Sequence, residues 1–205
     1  MATALSKEGY QICNEDYPSR YHTIEFLAES VINQALDQCE EKYQPQKIHF
    51  VTHSMGGILL RYYLSENSID KLARVIMLSP PNQGTHLVDK LRNIPGFSLI
   101  SGSPSIQLGT DEQSIPKQLG SANFELGIIT GNRSVNPINS LLIPQPNDGK
   151  VSVENAKLDG MSDFLVVPHT HPFVMNSKLV IEQTIQFLQH GRFKKSSEQF
   201  STPSI

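Results

Sequence analysis

With 205 residues, the chain has room for one domain built on one sizeable core. Its 17 basic and 20 acidic side chains leave a formal charge of −3, which argues against nucleic acid as a main partner because phosphate binding needs a basic surface. No apolar run approaches the roughly 18 residues a membrane-spanning helix requires, and the first eight residues, MATALSKE, resemble neither a signal nor a transit peptide. Cys13 and Cys39 lie far apart and in no metal-ligand spacing, so two buried, reduced thiols are expected.

Short β-like runs alternate with amphipathic helical stretches, the pattern of a parallel sheet flanked by helices. Residues 9–13 read as a strand entered from a helix end, followed by a turn at Asp16, Tyr17 and Pro18. Between 23 and 41 the apolar residues Ile24, Leu27, Ala28, Val31, Ile32, Ala35, Leu36 and Cys39 trace one helix face. Pro45 breaks that helix. A strand over 48–52, a helix over 56–64 and a strand over 72–78 come next, the last ending at Pro80 and Pro81. A short helix is expected over 85–91. The Gly-, Ser- and Pro-containing stretch 93–118 shows no periodicity and reads as irregular loop or lid. Strands over 126–130 and 164–167 and a helix over 179–190 complete the domain. The Ser-rich tail 194–205 is expected to be disordered. The domain thus covers 1–193.

The segment His49-Phe50-Val51-Thr52-His53-Ser54-Met55-Gly56-Gly57-Ile58-Leu59-Leu60 runs an apolar strand into a serine and an apolar helix out of it. A serine on so sharp a turn is held in a strained backbone with its hydroxyl exposed. The residues two before and two after it must be small; Gly56 meets this need, and Thr52 stands where glycine is usual. The unpaired N–H groups at the helix start make the Met55 N–H a ready donor to a developing oxyanion. The competing reading is a serine that merely caps a helix.

A serine nucleophile needs a histidine to take its proton and a carboxylate to orient that histidine. Asp148, in Asn147-Asp148-Gly149-Lys150-Val151, follows the fourth strand of the series, and His169 and His171 follow the fifth. Such positions lie where loops leave the carboxyl ends of parallel strands. Asp148 also fits a plain Asp-Gly turn, and either histidine could be an ordinary loop residue. Asp159 and Asp163 precede the last strand and are weaker acids for the role. His53 is read as supporting or packing the site, not as the base.

These segments together resemble a bacterial-type group of lipase- or esterase-like α/β-hydrolases. The likeness is carried by Lys7-Glu8-Gly9-Tyr10, Asp16-Tyr17-Pro18-Ser19, Val51-Thr52-His53-Ser54-Met55-Gly56-Gly57, Leu78-Ser79-Pro80-Pro81-Asn82-Gln83-Gly84, Phe124-Glu125-Leu126-Gly127, Gly131-Asn132-Arg133-Ser134, the stretch 147–153 and the residues around His171 to Phe173. It implies an α/β-hydrolase fold, a mostly parallel sheet flanked by helices, and a Ser54–Asp148–His171 triad. It favours His171 over His169, because the group's histidine sits three residues after the proline closing the last strand, here Pro168. Thr is often found in that group where Thr52 stands.

The resemblance further implies that a central strand, ending in a His-Gly-type loop that gives the second oxyanion N–H, precedes the first helix. No such strand stands ahead of 9–13, so the expectation is an N-terminally truncated domain with impaired activity. The implied activity is hydrolysis of small-molecule or lipid carboxylic esters, with no metal or organic cofactor. Acyl transfer or amide hydrolysis on the same triad, and a non-catalytic lipid- or partner-binding pseudo-hydrolase, are the alternatives. Nothing in these signals addresses oligomeric state or compartment.

Overall fold

The computed structural model describes residues 1–17, 19–96, 102–135 and 137–194, leaving aside the side chains of 137–139. Four strands, β1 (Ile48–His53), β2 (Leu72–Leu78), β3 (Glu125–Gly131) and β4 (Asp163–Val167), pair in parallel and in chain order. Their carboxyl ends therefore share one rim. In β2 the side chains alternate: Val75 and Met77 join one apolar cluster, Ile76 and Leu78 the other. The sheet is thus buried on both faces, as parallel sheets are.

The first helix, α1 (Ala2–Lys7), places Leu5 in the second cluster beside the closing helix, with Val174, Val180, Phe187 and Leu188. On the other face lie α2 (Ile24–Tyr43) and α3 (Met55–Glu66). The start of α2 is set by Thr23, whose hydroxyl accepts from the Phe26 N–H, and its end by Gln44 in a left-handed conformation, φ 48°. Ile24, Leu27, Ala28 and Ile32 form its buried face, as the periodicity predicts. α4 (His86–Leu91) matches its expected span.

Three expectations need correction. The stretch 93–118 contains two single-turn helices, α5 (Ser103–Ile106) and α6 (Ile115–Gln118), each with a proline in its first turn. One turn carries too little sequence to show a period, which is why it reads as irregular. Residues 97–101 and 195–205, which take in most of the predicted tail, lie outside the described residues. Between β3 and β4 the chain adds α7 (Pro137–Leu142) and α8 (Val153–Ala156), then α9 (Lys178–His190) closes the domain.

The second correction concerns residues 9–13, which belong to no strand. A strand needs a ladder partner, and β1 presents its outer edge to a cavity of about 560 Å³ instead. The cavity is lined by β1 on one side and by Tyr10 to Tyr17 on another, with Val31 and Leu36 of α2 and Leu188 of α9 contributing apolar walls. The Tyr43 hydroxyl donates to the Ile12 carbonyl at 3.4 Å, and Gln34 reaches Glu15 at 3.0 Å. Side chains, not a ladder, hold this segment.

The third correction is chemical. Cys13 and Cys39 form a disulfide, with Cα atoms 5.9 Å apart, and among the described residues no cysteine is free. Their 26-residue separation hides the pairing in sequence. Only the packing of 10–17 against α2 brings them within bridging range.

Candidate active site

β1 delivers the chain to Ser54, which has φ 53° and ψ −125°. This is a rare conformation for a residue with a side chain. Ser54 occupies the N-cap position of α3, yet its side chain makes no capping bond. The hydroxyl instead lies 2.9 Å from His171 Nε2. Plain capping is thereby set aside. The closest packing at the turn falls at Gly57: a Cβ there would stand 3.1 Å from Met77 Sδ and 3.3 Å from the Pro80 Cβ, whereas one on Gly56 would make ordinary contact with the Thr52 Cβ at 3.6 Å. The predicted demand for a small residue is met one position later than expected.

His171 follows β4 and is almost fully buried, as is Asp148. The His171 Nδ1–H donates to Asp148 Oδ2 over 2.8 Å, and the His171 backbone N–H donates to the Asp148 carbonyl over 3.0 Å. With Nδ1 protonated, Nε2 is left as the acceptor for the Ser54 O–H. Asp148 itself is fixed by the N–H groups of Lys150 (3.0 Å) and Val151 (2.9 Å) on Oδ1. Burial by itself would raise the Asp148 carboxyl; the hydrogen bond and charge of His171, with the two backbone donors, outweigh it and hold the group below its ordinary value.

His169 faces a different partner. Its Nε2 pairs with the Ser177 hydroxyl at 2.7 Å, away from Ser54. Asp163 accepts from the N–H groups of Phe164 and Phe193, each at 2.8 Å, and so serves the β4 start and the chain's return. Asp159 binds through its carbonyl to the Ala122 N–H at 2.8 Å. The Met55 N–H stands at the first turn of α3 beside Ser54.

Sequence reasoning missed the residues that hold Asp148 in place. Asn147 is buried, accepts from the Gly149 N–H at 2.9 Å and donates to the Ile143 carbonyl at 3.1 Å. Thr85 donates to the Lys150 carbonyl across the crossover. The Asn-Asp-Gly triplet is the one local signal that could have exposed the first of these, since Asn bonds its own backbone two residues on. The sequence sets His53 beside the serine and gives no sign of its contact with the histidine. Its ring centroid lies 4.9 Å from that of His171.

No curated protein sequence matches the chain. A family model described as an alpha/beta hydrolase of unknown function (DUF915) matches residues 25–86, which include β1, Ser54, α3 and β2. Among solved structures, the phospholipase PlaB from Legionella pneumophila superposes over 93% of this chain with a TM-score of 0.70 at 18% identity. The mature lipase BlEst2 from Bacillus licheniformis superposes over 84% with a TM-score of 0.62, also at 18% identity. The chain spans 55% of the PlaB chain and 76% of the BlEst2 chain. Among the described residues no helix is long and apolar enough to cross a membrane. The four-stranded parallel sheet between helix layers has the architecture of those hydrolases, and the chain has the α/β-hydrolase fold.

Proposed function

We propose that the protein is a serine hydrolase of carboxylic esters, lipid esters included. The observation that carries this reading is the chain of hydrogen bonds from Ser54 Oγ through His171 to Asp148, 2.9 Å and 2.8 Å long. In the first half-reaction Ser54 Oγ attacks the acyl carbon while His171 Nε2 takes its proton. Asp148 keeps the imidazole in the Nδ1–H tautomer and stabilises the imidazolium that forms. The Met55 N–H binds the developing oxyanion, where one such donor is worth about 10²–10³ in kcat. Collapse of the tetrahedral intermediate expels the alcohol, which leaves with the proton from His171. Water, deprotonated by the same nitrogen, then attacks the acyl-serine; the carboxylic acid departs and Ser54 regains its proton.

Lipid esters are the preferred substrates in this reading because the fold is shared with a phospholipase and a lipase.

Fluorophosphonate labelling tests the assignment, with turnover of p-nitrophenyl esters as the second readout. The expected result is covalent labelling of the wild-type chain that is lost, together with any ester turnover, in Ser54→Ala. A label that persists in Ser54→Ala, or a wild-type protein that neither labels nor hydrolyses any ester, overturns it.

A further inference from the structure

His53 ends β1 immediately before the nucleophile, yet its side chain serves the other end of the hydrogen-bond chain. Its Nε2 lies 3.0 Å from the main-chain carbonyl of His171. A carbonyl oxygen only accepts, so His53 must carry its proton on Nε2 and donate. The groups whose charge His53 feels are His171, Asp148 and Lys150; burial first, then the His171 imidazole, lower its pKa to about 4. Near neutral pH the ring is therefore an uncharged donor and does not compete with the imidazolium that forms on His171.

His171 is thus held from both sides of its backbone. Its N–H is taken by the Asp148 carbonyl at 3.0 Å, its C=O by His53. Ser54 and His171 come from elements 117 residues apart, and the neighbour of one clasps the main chain of the other. We propose that His53 is a positioning residue: its Nε2–H fixes the distance between the base and the nucleophile it activates. The proposal rests on the reading of His171 as the base. Reaction geometry is sensitive to this kind of slack, since a displacement near 1 Å costs about 10²-fold in rate.

The experiment compares His53→Phe, which keeps a ring and loses the donor, with His53→Gln, whose amide N–H restores it. Two readouts are taken on the protein as it stands. One is the Ser54 fluorophosphonate labelling rate, with kcat and KM where turnover is measurable. The other is the low-field proton resonance of His171 Nδ1–H, which needs no activity. Expected for His53→Phe is a fall of about 10–10²-fold in labelling rate or kcat, an unmoved KM and a broadened resonance; His53→Gln stays near wild type in all of these. Wild-type behaviour of His53→Phe, or equal damage in both variants, overturns the proposal. If circular dichroism shows that His53→Phe does not fold, His53→Asn takes its place, because its amide is too short to reach the carbonyl and must behave as donor-less. A wild-type protein that never labels, but whose His171 resonance sharpens and broadens with the donor as expected, sinks the hydrolase reading and leaves the positioning role standing.

Discussion

The disulfide offers the most direct quantitative test of the structure. Cys13 and Cys39 are 26 residues apart, and closing a loop of that length removes enough unfolded-state entropy to stabilise the folded protein by about 3.5 kcal/mol in the chain-entropy treatment. With a urea m-value near 2–3 kcal/mol/M for a domain of this size, reduction should lower the unfolding midpoint by about 1–2 M. The assay is equilibrium urea unfolding followed by circular dichroism, with and without a phosphine reductant. Cys39→Ser should reproduce the shift, and reductant should add nothing further to that variant. The helices that carry the two clusters of the core do not depend on the bridge, so the reduced protein should remain folded in the absence of urea. Equal midpoints for oxidised and reduced protein, or two titratable thiols in the native state, refute the reasoning.

Asp148→Asn removes the carboxylate that sets the His171 tautomer and should lower kcat or Ser54 labelling by about 10³–10⁴-fold with little loss of fold; an undiminished rate would show that another group orients the base. Gly131→Ala puts a Cβ into the His169 carbonyl and 3.0 Å from the Asp148 Cβ. It should cost about 1–3 kcal/mol in denaturant unfolding and slow labelling at the same time; a neutral result would mean the β3 end is looser than drawn. For pH, His53 falls from 6.5 to about 4 on folding. Below pH 6.5 the unfolded chain therefore takes a proton that the folded one refuses, so stability is full above 6.5 and drops by about 3 kcal/mol as pH falls to 4. His49 is lowered too, by burial first and Arg74 second, and acts in the same direction. The difference in pH slope between wild type and His53→Gln isolates His53, and parallel slopes would contradict the buried, neutral ring.

Where the signal was periodic or sat at a strand end, the sequence was readable. α2 declares itself by the spacing of Ile24, Leu27, Ala28 and Ile32, and the three side chains that meet at the rim follow strands recognisable by their apolar runs. Residues 9–13 have strand-like composition, but whether they pair depends on what lies beside them, and that is not a local property. The Cys13–Cys39 bridge was hidden for the same reason. α5 and α6 are single turns, shorter than any period. Residues alone leave His169 and His171 equivalent, since both leave the same strand; in the fold Ser177 meets the ring of one and Ser54 that of the other. The contact of His53 with a main-chain oxygen carries no sequence signature whatever.

The unpaired border of β1 has a consequence for handling the protein. Amides and carbonyls arrayed along an unpaired strand form an adhesive template, and a neighbouring molecule that offers its own extended backbone can copy the register. Oligomer growth at high concentration should therefore begin at this edge, and a chain docked there would lie along the strand that ends next to Ser54.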